Sequence, residues 1–179
     1  MLPNLRADAR RLAEKGPRPL WFYVLEAALF DSGFQAVVLH RVAACFKRWR
    51  VPVLPPLVAR ISISSTGVDI SPSAQIGPGL RISHGVGIVI GGHARLGAGA
   101  LVLHQVTLGS PSQGRVAEMP TVGDRAFLGA GCKLIGAIRI GDDVTIGPNA
   151  VVTQDVPSGS RVRAAAGIEI TARTASGSS

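Results

Sequence analysis

The feature that most constrains this sequence is a six-residue repeat between Ile70 and Val152. An aliphatic residue recurs at every sixth position, and glycine usually follows it. The aliphatic positions form three runs, separated by a two-residue slip and by one longer interruption: Ile70, Ile76 and Ile82; Ile90, Leu96, Val102 and Leu108; Val122, Leu128, Leu134, Ile140, Ile146 and Val152. Helices repeat every ~3.6 residues and strands every ~2 residues, so neither element alone explains this pattern.

A triangular solenoid explains the period of six. Each hexad supplies one short strand and one corner, and three hexads complete a coil, so inward side chains stack about 4.8 Å apart. The 22 glycines and the aromatic content of 4% agree with an aliphatic core and many tight corners. Thirteen hexads predict a mainly β protein, a parallel β-helix of about four coils. Spacing does not fix its hand, because general rules favour right-handed crossovers.

The first fifty residues have the pattern of helices instead. We expect a short helix capped by Asn4, a second over Leu20–Phe30, and a third that begins at Ser32 with Gln35 at capping-box spacing. Three prolines then end the helical region in this interpretation: Pro52, Pro55 and Pro56.

These patterns predict three regions. Residues 1–60 form an α-helical segment, residues 61–168 form the solenoid, and residues 169–179 form a flexible tail. The stretch 110–120 interrupts the hexads, so we expect it to leave the solenoid as an arm. Insertions in repeat proteins commonly serve binding.

Charge and cysteine content narrow the functional classes. The net charge is +8, and residues 1–68 carry ten basic and four acidic side chains. No nucleic-acid motif accompanies this charge, so we interpret it as a solvated basic face, with peripheral membrane contact a weaker alternative. Two cysteines form no disulfide framework and, with no signal peptide apparent, favour a cytoplasmic protein. Charged residues interrupt the apolar stretch 20–46, which disfavours a membrane-spanning helix.

Three segments carry a family resemblance: VDISPSAQIGPGLRISHGVGIVIGG from residue 68, VTLGS from residue 106, and PTVGDRAFLGAGCKLIGAIRIGDDVTIGPNAVVTQDVP from residue 120. They resemble the serine acetyltransferase family of hexapeptide acyltransferases. The resemblance implies a left-handed parallel β-helix and a homotrimer, in some members a dimer of trimers. It also implies that acetyl-CoA lies in a groove between neighbouring subunits, and that the acetyl group passes directly to a hydroxyl without an acyl-enzyme.

The resemblance assigns the catalytic residues. His84 matches the family's general base, and Asp69 matches the carboxylate that orients its imidazole. Histidine suits this chemistry because its ordinary pKa of ~6.5 lets it take and return a proton near neutrality. A surface role for His84 and a capping role for Asp69 are the structural alternatives. His104 holds the same hexad place as His84 one coil later, so we expect it to contact the acceptor or to lie at an interface.

The family pattern also places CoA against a row of small residues, with the C-terminal tail closing over it. The expected cofactor-binding residues are Gly109, Ala130, Gly131, Gly147, Pro148 and Gly167. Glycine lets a ligand approach the backbone closely, although each of these glycines also has a structural explanation as a corner. No metal is expected.

The resemblance breaks at the acceptor site. The family holds its amino acid with an acid just before the catalytic histidine and with an Arg-His pair at the end of the arm. Here those places hold Ser83, Glu118 and Met119. The helical segment that supplies a further acceptor contact is also shorter. We therefore expect a different hydroxyl, on a sugar of a polysaccharide precursor or on a small secondary metabolite.

The sequence leaves three alternative functions open. The first is an authentic serine acetyltransferase whose acceptor contacts have been rebuilt from other side chains. The second is a non-catalytic trimeric scaffold, which saturable CoA binding would exclude. The third is a metalloenzyme of the γ-carbonic anhydrase type, which His84, His93 and His104 suggest. Their spacings of nine and eleven residues do not match that family's ligand pattern.

Overall fold

Four helices precede a solenoid of short parallel strands in the computed structural model, which describes residues 2–13 and 16–164. The helices are α1 (Leu2–Ala13), α2 (Leu20–Phe30), α3 (Ser32–Arg48) and α4 (Leu54–Thr66). The strands are β1 (Val68–Ile70), β2 (Gln75–Ile76), β3 (Arg81–Ser83), β4 (Ile88–Ile90), β5 (Arg95–Leu96), β6 (Leu101–Leu103), β7 (Thr107–Gly109), β8 (Thr121–Val122), β9 (Phe127–Leu128), β10 (Lys133–Ile135), β11 (Arg139–Ile140), β12 (Thr145–Ile146), β13 (Val151–Val152) and β14 (Arg161–Val162). The predicted tail, 169–179, lies outside the described residues.

The strands form the three faces of a prism, because each strand from β1 to β10 pairs in parallel with the strand three places later, and β12 pairs with β14. Sheet A has the order β1-β4-β7-β10-β13, sheet B the order β11-β8-β5-β2, and sheet C the order β14-β12-β9-β6-β3. In sheet A one inward column runs through Ile70, Ile90, Leu108, Leu134 and Val152. All five are buried, as the six-residue period requires. The predicted parallel β-helix is therefore confirmed.

The prediction of about four coils was too low, since sheets A and C each contain five strands. A parallel bridge between Ile140 and Val156 adds the fifth level to sheet B, and β14 completes the last coil through Val162. Val156 follows Val152 after only four residues, so the final coil falls outside a strict period of six. The side chains of the final coil still pack inward, but the register slip keeps this coil out of the six-residue pattern.

One corner of the prism, between sheets B and C, is tied together by side chains. Asp124 Oδ1 accepts a hydrogen bond of 2.7 Å from the Ala98 N–H, and Asp142 Oδ1 accepts one of 2.7 Å from the Asp124 N–H. Ser158 Oγ accepts from the Asp142 N–H at 3.0 Å. We call these three bonds the corner ladder. Each satisfies a backbone donor at a turn, where no strand partner exists.

Two of the predicted helices were placed correctly, since α2 and α3 have the expected starts. The N-cap of α3 is Asp31, one residue before the predicted Ser32, and its carboxylate accepts from the Phe34 N–H at 3.0 Å. Asn4 lies inside α1 and does not cap it. No single described helix is long and apolar enough to cross a membrane; α2 and α3 reach that length and composition only as a pair bent by 91°.

The prediction that prolines end the helical region was wrong. Pro55 and Pro56 lie in the first turn of α4, where a missing N–H leaves no hydrogen bond unmade. The helix runs to Thr66 and is closed by Gly67, whose φ of +70° places it in the left-handed region. The predicted domain boundary at residue 60 therefore falls inside α4.

A buried ion pair fixes the helices to the first coil. Asp8 of α1 is 2% exposed and Arg41 of α3 is 6% exposed. The Arg41 Nε–Asp8 Oδ2 distance is 3.0 Å, and Arg41 Nη2 lies 3.2 Å from Asp8 Oδ1. Arg41 also donates at 2.6 Å to the carbonyl oxygens of Ile76 and Gly77, while Asp8 accepts from the Leu80 N–H at 2.9 Å. Both charges are thus extensively hydrogen-bonded.

His40, beside Arg41 in α3, should make stability depend on pH. Burial, and secondarily the charge of Arg41, lowers the pKa of His40 from 6.5 to about 4. Between pH 6.5 and about 4, the His40 imidazole is therefore protonated in the unfolded chain and neutral in the folded chain. Stability is fully present above pH 6.5 and is lost as the pH falls towards 4, by about 3 kcal/mol in all. Urea unfolding at pH 7.5, 6.0 and 4.5 measures this loss.

The matched variant for this pH dependence is His40→Gln, which has no titrating imidazole. As the pH falls, the wild type loses the stability that depends on neutral His40 and the variant does not, so the difference between their free energies of unfolding should narrow. Carboxylate titration is common to both chains and cancels in this difference. A difference that stays constant over this range would contradict the expectation.

Candidate active site

His84 lies on the corner between sheets C and A. The register of β3 and β6 pairs Ser83 with Leu103, so His84 and His104 begin this corner on successive coils, as the hexads predicted. Both imidazoles are exposed. At this corner one left-handed residue recurs on successive coils, and Gly87 at 78°, Gln105 at 58° and Asn149 at 56° hold that place. His84 has a φ of +55° in addition to Gly87, so its left-handed backbone is peculiar to this coil.

The corner that carries His84 has two more residues than the corner above it. Five residues separate Ser83 from its neighbour in sheet A, Val89, whereas three separate their partners Leu103 and Thr107. The Gln105 N–H donates to the Val86 carbonyl at 3.0 Å, so the backbone ladder resumes at Val86. The additional residues are therefore His84 and Gly85. This slip, visible in the sequence, is what projects the histidine from the solenoid.

The helical segment packs directly on this corner through two glycines. A Cβ on Gly85 would lie 2.8 Å from Val68 Cγ2 and 3.0 Å from Ile82 Cγ2. A Cβ on Gly33 would collide with the Ile82 carbonyl oxygen. Neither position has room for a side chain, so the beginning of α3 rests on the strand that ends next to His84.

This packing creates a cavity of about 480 Å³ beside His84, which we call the elbow cavity. It is lined by Glu26, Ala27, Phe30, Asp31 and Ser32 from the bend between α2 and α3, and by Arg81, Ile82, Ser83 and His84 from the solenoid. Sequence reasoning missed Glu26, Asp31 and Arg81, because residue spacing does not say which strand a helix packs against. Gly33, in the first turn of α3, was the available signal of a close approach.

Asp69 lies apart from the elbow cavity. It is the middle residue of β1, pairs with Val89 in sheet A, and lines a cavity of about 540 Å³ with Lys47 and Arg60. Within residues 2–13 and 16–164, no hydrogen bond or ion pair joins Asp69 to His84. Its orienting role stays a prediction.

The predicted cofactor residues of the upper coils share the corner of His84. The register of β6, β9 and β12 places Ala130 and Pro148 above His104, with Gly147 one residue before Pro148. Gly131 donates its N–H to the His104 carbonyl at 2.9 Å and has a φ of +72°. A side chain there would collide with the Asn149 amide oxygen. Ala130, Gly131, Gly147 and Pro148 thus form a wall of small residues above His84, which we call the smooth wall. Gly167 lies outside the described residues.

Gly109, Glu118 and Met119 lie at the other edge of sheet A, on the corner between sheets A and B. Gly109 ends β7, and the predicted arm, 110–120, follows it with a short 3-10 turn at Gln113–Arg115. Glu118 pairs with Arg115 at 3.3 Å, and Met119 packs over Gly91 against the core. One chain therefore does not bring these residues to its own His84.

The three histidines considered as metal ligands are also separated. His93 lies between β4 and β5, on the corner between sheets A and B, whereas His84 and His104 lie on the corner between sheets C and A. In the part of the chain that the structure describes, no group of three histidine, cysteine, aspartate or glutamate side chains is arranged to hold a metal ion.

Comparison with known proteins identifies the family. Residues 119–154 match the model described as bacterial transferase hexapeptide (six repeats), and residues 137–172 match the hexapeptide repeat of succinyl-transferase. The chain is 38% identical over 159 residues to the serine acetyltransferase of Helicobacter pylori, covering 88% of this chain and 91% of that protein. The chain belongs to the serine acetyltransferase family. The family's Synechococcus elongatus member is 42% identical over 158 residues, which cover 88% of this chain.

Solved structures of serine acetyltransferases agree with this assignment. The Entamoeba histolytica isoform 3 enzyme in complex with cysteine matches with a TM-score of 0.81 and 28% identity, over 96% of this chain and 61% of that one. The Neisseria gonorrhoeae enzyme in complex with serine matches with a TM-score of 0.78 and 32% identity, over 89% and 65%. The present chain also spans only 64% of the Synechococcus protein.

Proposed function

We propose that this chain transfers the acetyl group of acetyl-CoA to the hydroxyl of L-serine. The observation that carries the proposal is the 38% identity to a serine acetyltransferase across 91% of that protein's length. The match to a solved serine complex supports the same acceptor. These relatives favour serine over the sugar or secondary metabolite that Ser83, Glu118 and Met119 suggested, so the alternative stated from the sequence becomes the main proposal.

In the proposed mechanism His84 acts as general base. Its imidazole takes the proton of the serine hydroxyl while that oxygen attacks the thioester carbonyl and forms a C–O bond. The resulting tetrahedral oxyanion collapses, the C–S bond breaks, and the imidazolium returns its proton to the departing CoA thiolate. His84 is exposed and has no hydrogen-bond or ion-pair partner within the described residues, so its ring is available to a substrate.

The donor and the assembly form part of the same proposal. The smooth wall of Ala130, Gly131, Gly147 and Pro148 would admit the pantetheine arm of acetyl-CoA close to the backbone. Gly109 and the arm lie across sheet A from His84, so they would reach an active site only in a neighbouring subunit. A homotrimer with clefts between subunits meets that requirement.

An acceptor panel tests the proposed function. Purified protein is supplied with acetyl-CoA and, in turn, L-serine, D-serine, glucosamine and galactose, and free CoA thiol is followed over time. We expect saturable thiol release with L-serine, above the background without acceptor, and little with the sugars. Transfer to a sugar without transfer to L-serine would overturn the proposal. Saturable CoA binding by the same protein would separate a catalyst from a scaffold.

A further inference from the structure

We infer that the elbow cavity holds the charged groups of the serine acceptor, with Glu26 and Asp31 at its ammonium and Arg81 at its carboxylate. This inference rests on the proposed function and deepens it. The places where related enzymes carry their acceptor-binding charges hold Ser83, Glu118 and Met119 in this chain, and two of these lie across sheet A. A zwitterion therefore needs other partners here.

The elbow cavity lies next to the proposed base. The cavity wall runs from Arg81 along β3 to Ser83 and His84, so a molecule inside it lies beside the exposed imidazole. Successive residues of a strand advance ~3.3 Å, so the Arg81 and His84 backbones lie at most roughly 10 Å apart, since His84 begins the corner after β3. The flexible Arg81 side chain can span part of this distance. A volume of about 480 Å³ lies within the ~300–1,000 Å³ of small-molecule sites.

The two walls of the elbow cavity carry opposite charges. The helical wall carries the carboxylates of Glu26 and Asp31, and the strand wall carries the guanidinium of Arg81. Opposite signs on opposite walls match the two ends of an amino acid, whereas a neutral sugar would leave the charges of Glu26 and Arg81 without an ion-pair partner. In the stretch from residue 16 to residue 164, neither Glu26 nor Arg81 has an ion-pair partner. Both charges are therefore available to a ligand.

The bend between α2 and α3 is held in place by supporting contacts. Asp31 caps α3 through its bond from the Phe34 N–H, and Gly33 locks the start of α3 on Ile82. The bend between the helices is thereby held at a fixed distance from His84. A site built on supported elements orients its ligand more accurately than one built on a free loop. The helical segment thus supplies the acceptor contacts from its bend.

The experiment combines side-chain removal with acceptor truncation. Glu26→Gln and Arg81→Gln each remove one charge from residues that are not fully buried, and Asp31 stays because it also caps α3. We expect each variant to raise the KM for L-serine roughly 10- to 100-fold, since hydrogen bonds to charged groups are the strong ones. The KM for acetyl-CoA should not change. Arg95→Gln is the matched control, because Arg95 likewise begins a strand but lies on sheet B.

Truncated acceptors separate the two ends of the ligand. Ethanolamine lacks the carboxylate, so its kcat/KM should fall in Glu26→Gln and not in Arg81→Gln. 3-Hydroxypropionate lacks the ammonium and should show the reverse. Serine turnover with an unchanged KM in both variants would overturn this assignment alone. No serine turnover by the wild type would overturn the proposed function and the assignment with it.

Discussion

Replacing His84 with alanine should lower kcat for acetyl transfer to L-serine by roughly 10²–10⁴-fold, the usual loss when a general base is removed. A serine hydroxyl is a weak nucleophile, and among the solenoid residues that the structure describes, no other titratable side chain is shared by the corner and the elbow cavity. The KM for acetyl-CoA should change little, because the wall of small residues lies on other coils. Initial rates of thiol release at saturating acetyl-CoA measure the effect.

Backbone strain must be separated from loss of the base, because His84 has a φ of +55°. Asparagine tolerates the left-handed region better than alanine, so His84→Asn should fold like the wild type and lose activity equally. His93→Ala is the matched control, as His93 is also exposed but lies on the corner between sheets A and B. Retention of wild-type kcat by His84→Asn would dismiss the assignment of His84 as the base.

The second large effect should come from the buried ion pair. Asp8→Ala leaves the Arg41 guanidinium charged, 6% exposed and without its carboxylate, and we expect a loss of roughly 3–5 kcal/mol in the free energy of unfolding. The Leu80 N–H also loses its acceptor. Urea denaturation, with the midpoint and slope fitted together, measures the change. At neutral pH the loss should be similar at low and at high salt, because salt screens a buried ion pair only weakly.

Two comparisons sharpen this result. Asp143→Ala breaks the Arg125–Asp143 pair, which is exposed on both sides, and should cost far less than Asp8→Ala. The double variant Asp8→Leu with Arg41→Met removes both buried charges and should recover much of the stability. If Asp8→Ala were no more destabilising than Asp143→Ala, the pair would not fix the helices to the first coil.

The sequence was sufficient for the architecture because inward packing is periodic. Every hexad repeats the same demand, so Ile70, Ile90 and Leu108 can be stacked from their spacing alone. The six-residue period does not predict the final coil, because Val156 follows Val152 after four residues. The sequence prediction also failed at α4, because Pro55 and Pro56 disfavour the inside of a helix but suit its first turn.

The candidate site was predictable only in part. The family resemblance pointed to His84 and to the small residues above it, and the hexad spacing placed His104 in the same column, since a column follows from the register. Spacing could not assign Met119 to a corner of the prism, because Met119 lies at the end of the irregular arm. Nor could it find Glu26, whose place in the elbow cavity depends on how α2 and α3 pack against β3.

The corner ladder affects how local unfolding spreads along the solenoid. Each of its bonds joins one coil only to the next, from Ala98 through Asp124 and Asp142 to Ser158. Strand pairing likewise extends only to adjacent levels, so disorder introduced at β14 has no direct route to lower levels. His84 belongs to the level that the helices cover, at the opposite end. Local unfolding of β14 can therefore leave the level of His84 intact, but it reaches the upper end of the smooth wall first, because the Gly147 N–H donates to the Val162 carbonyl.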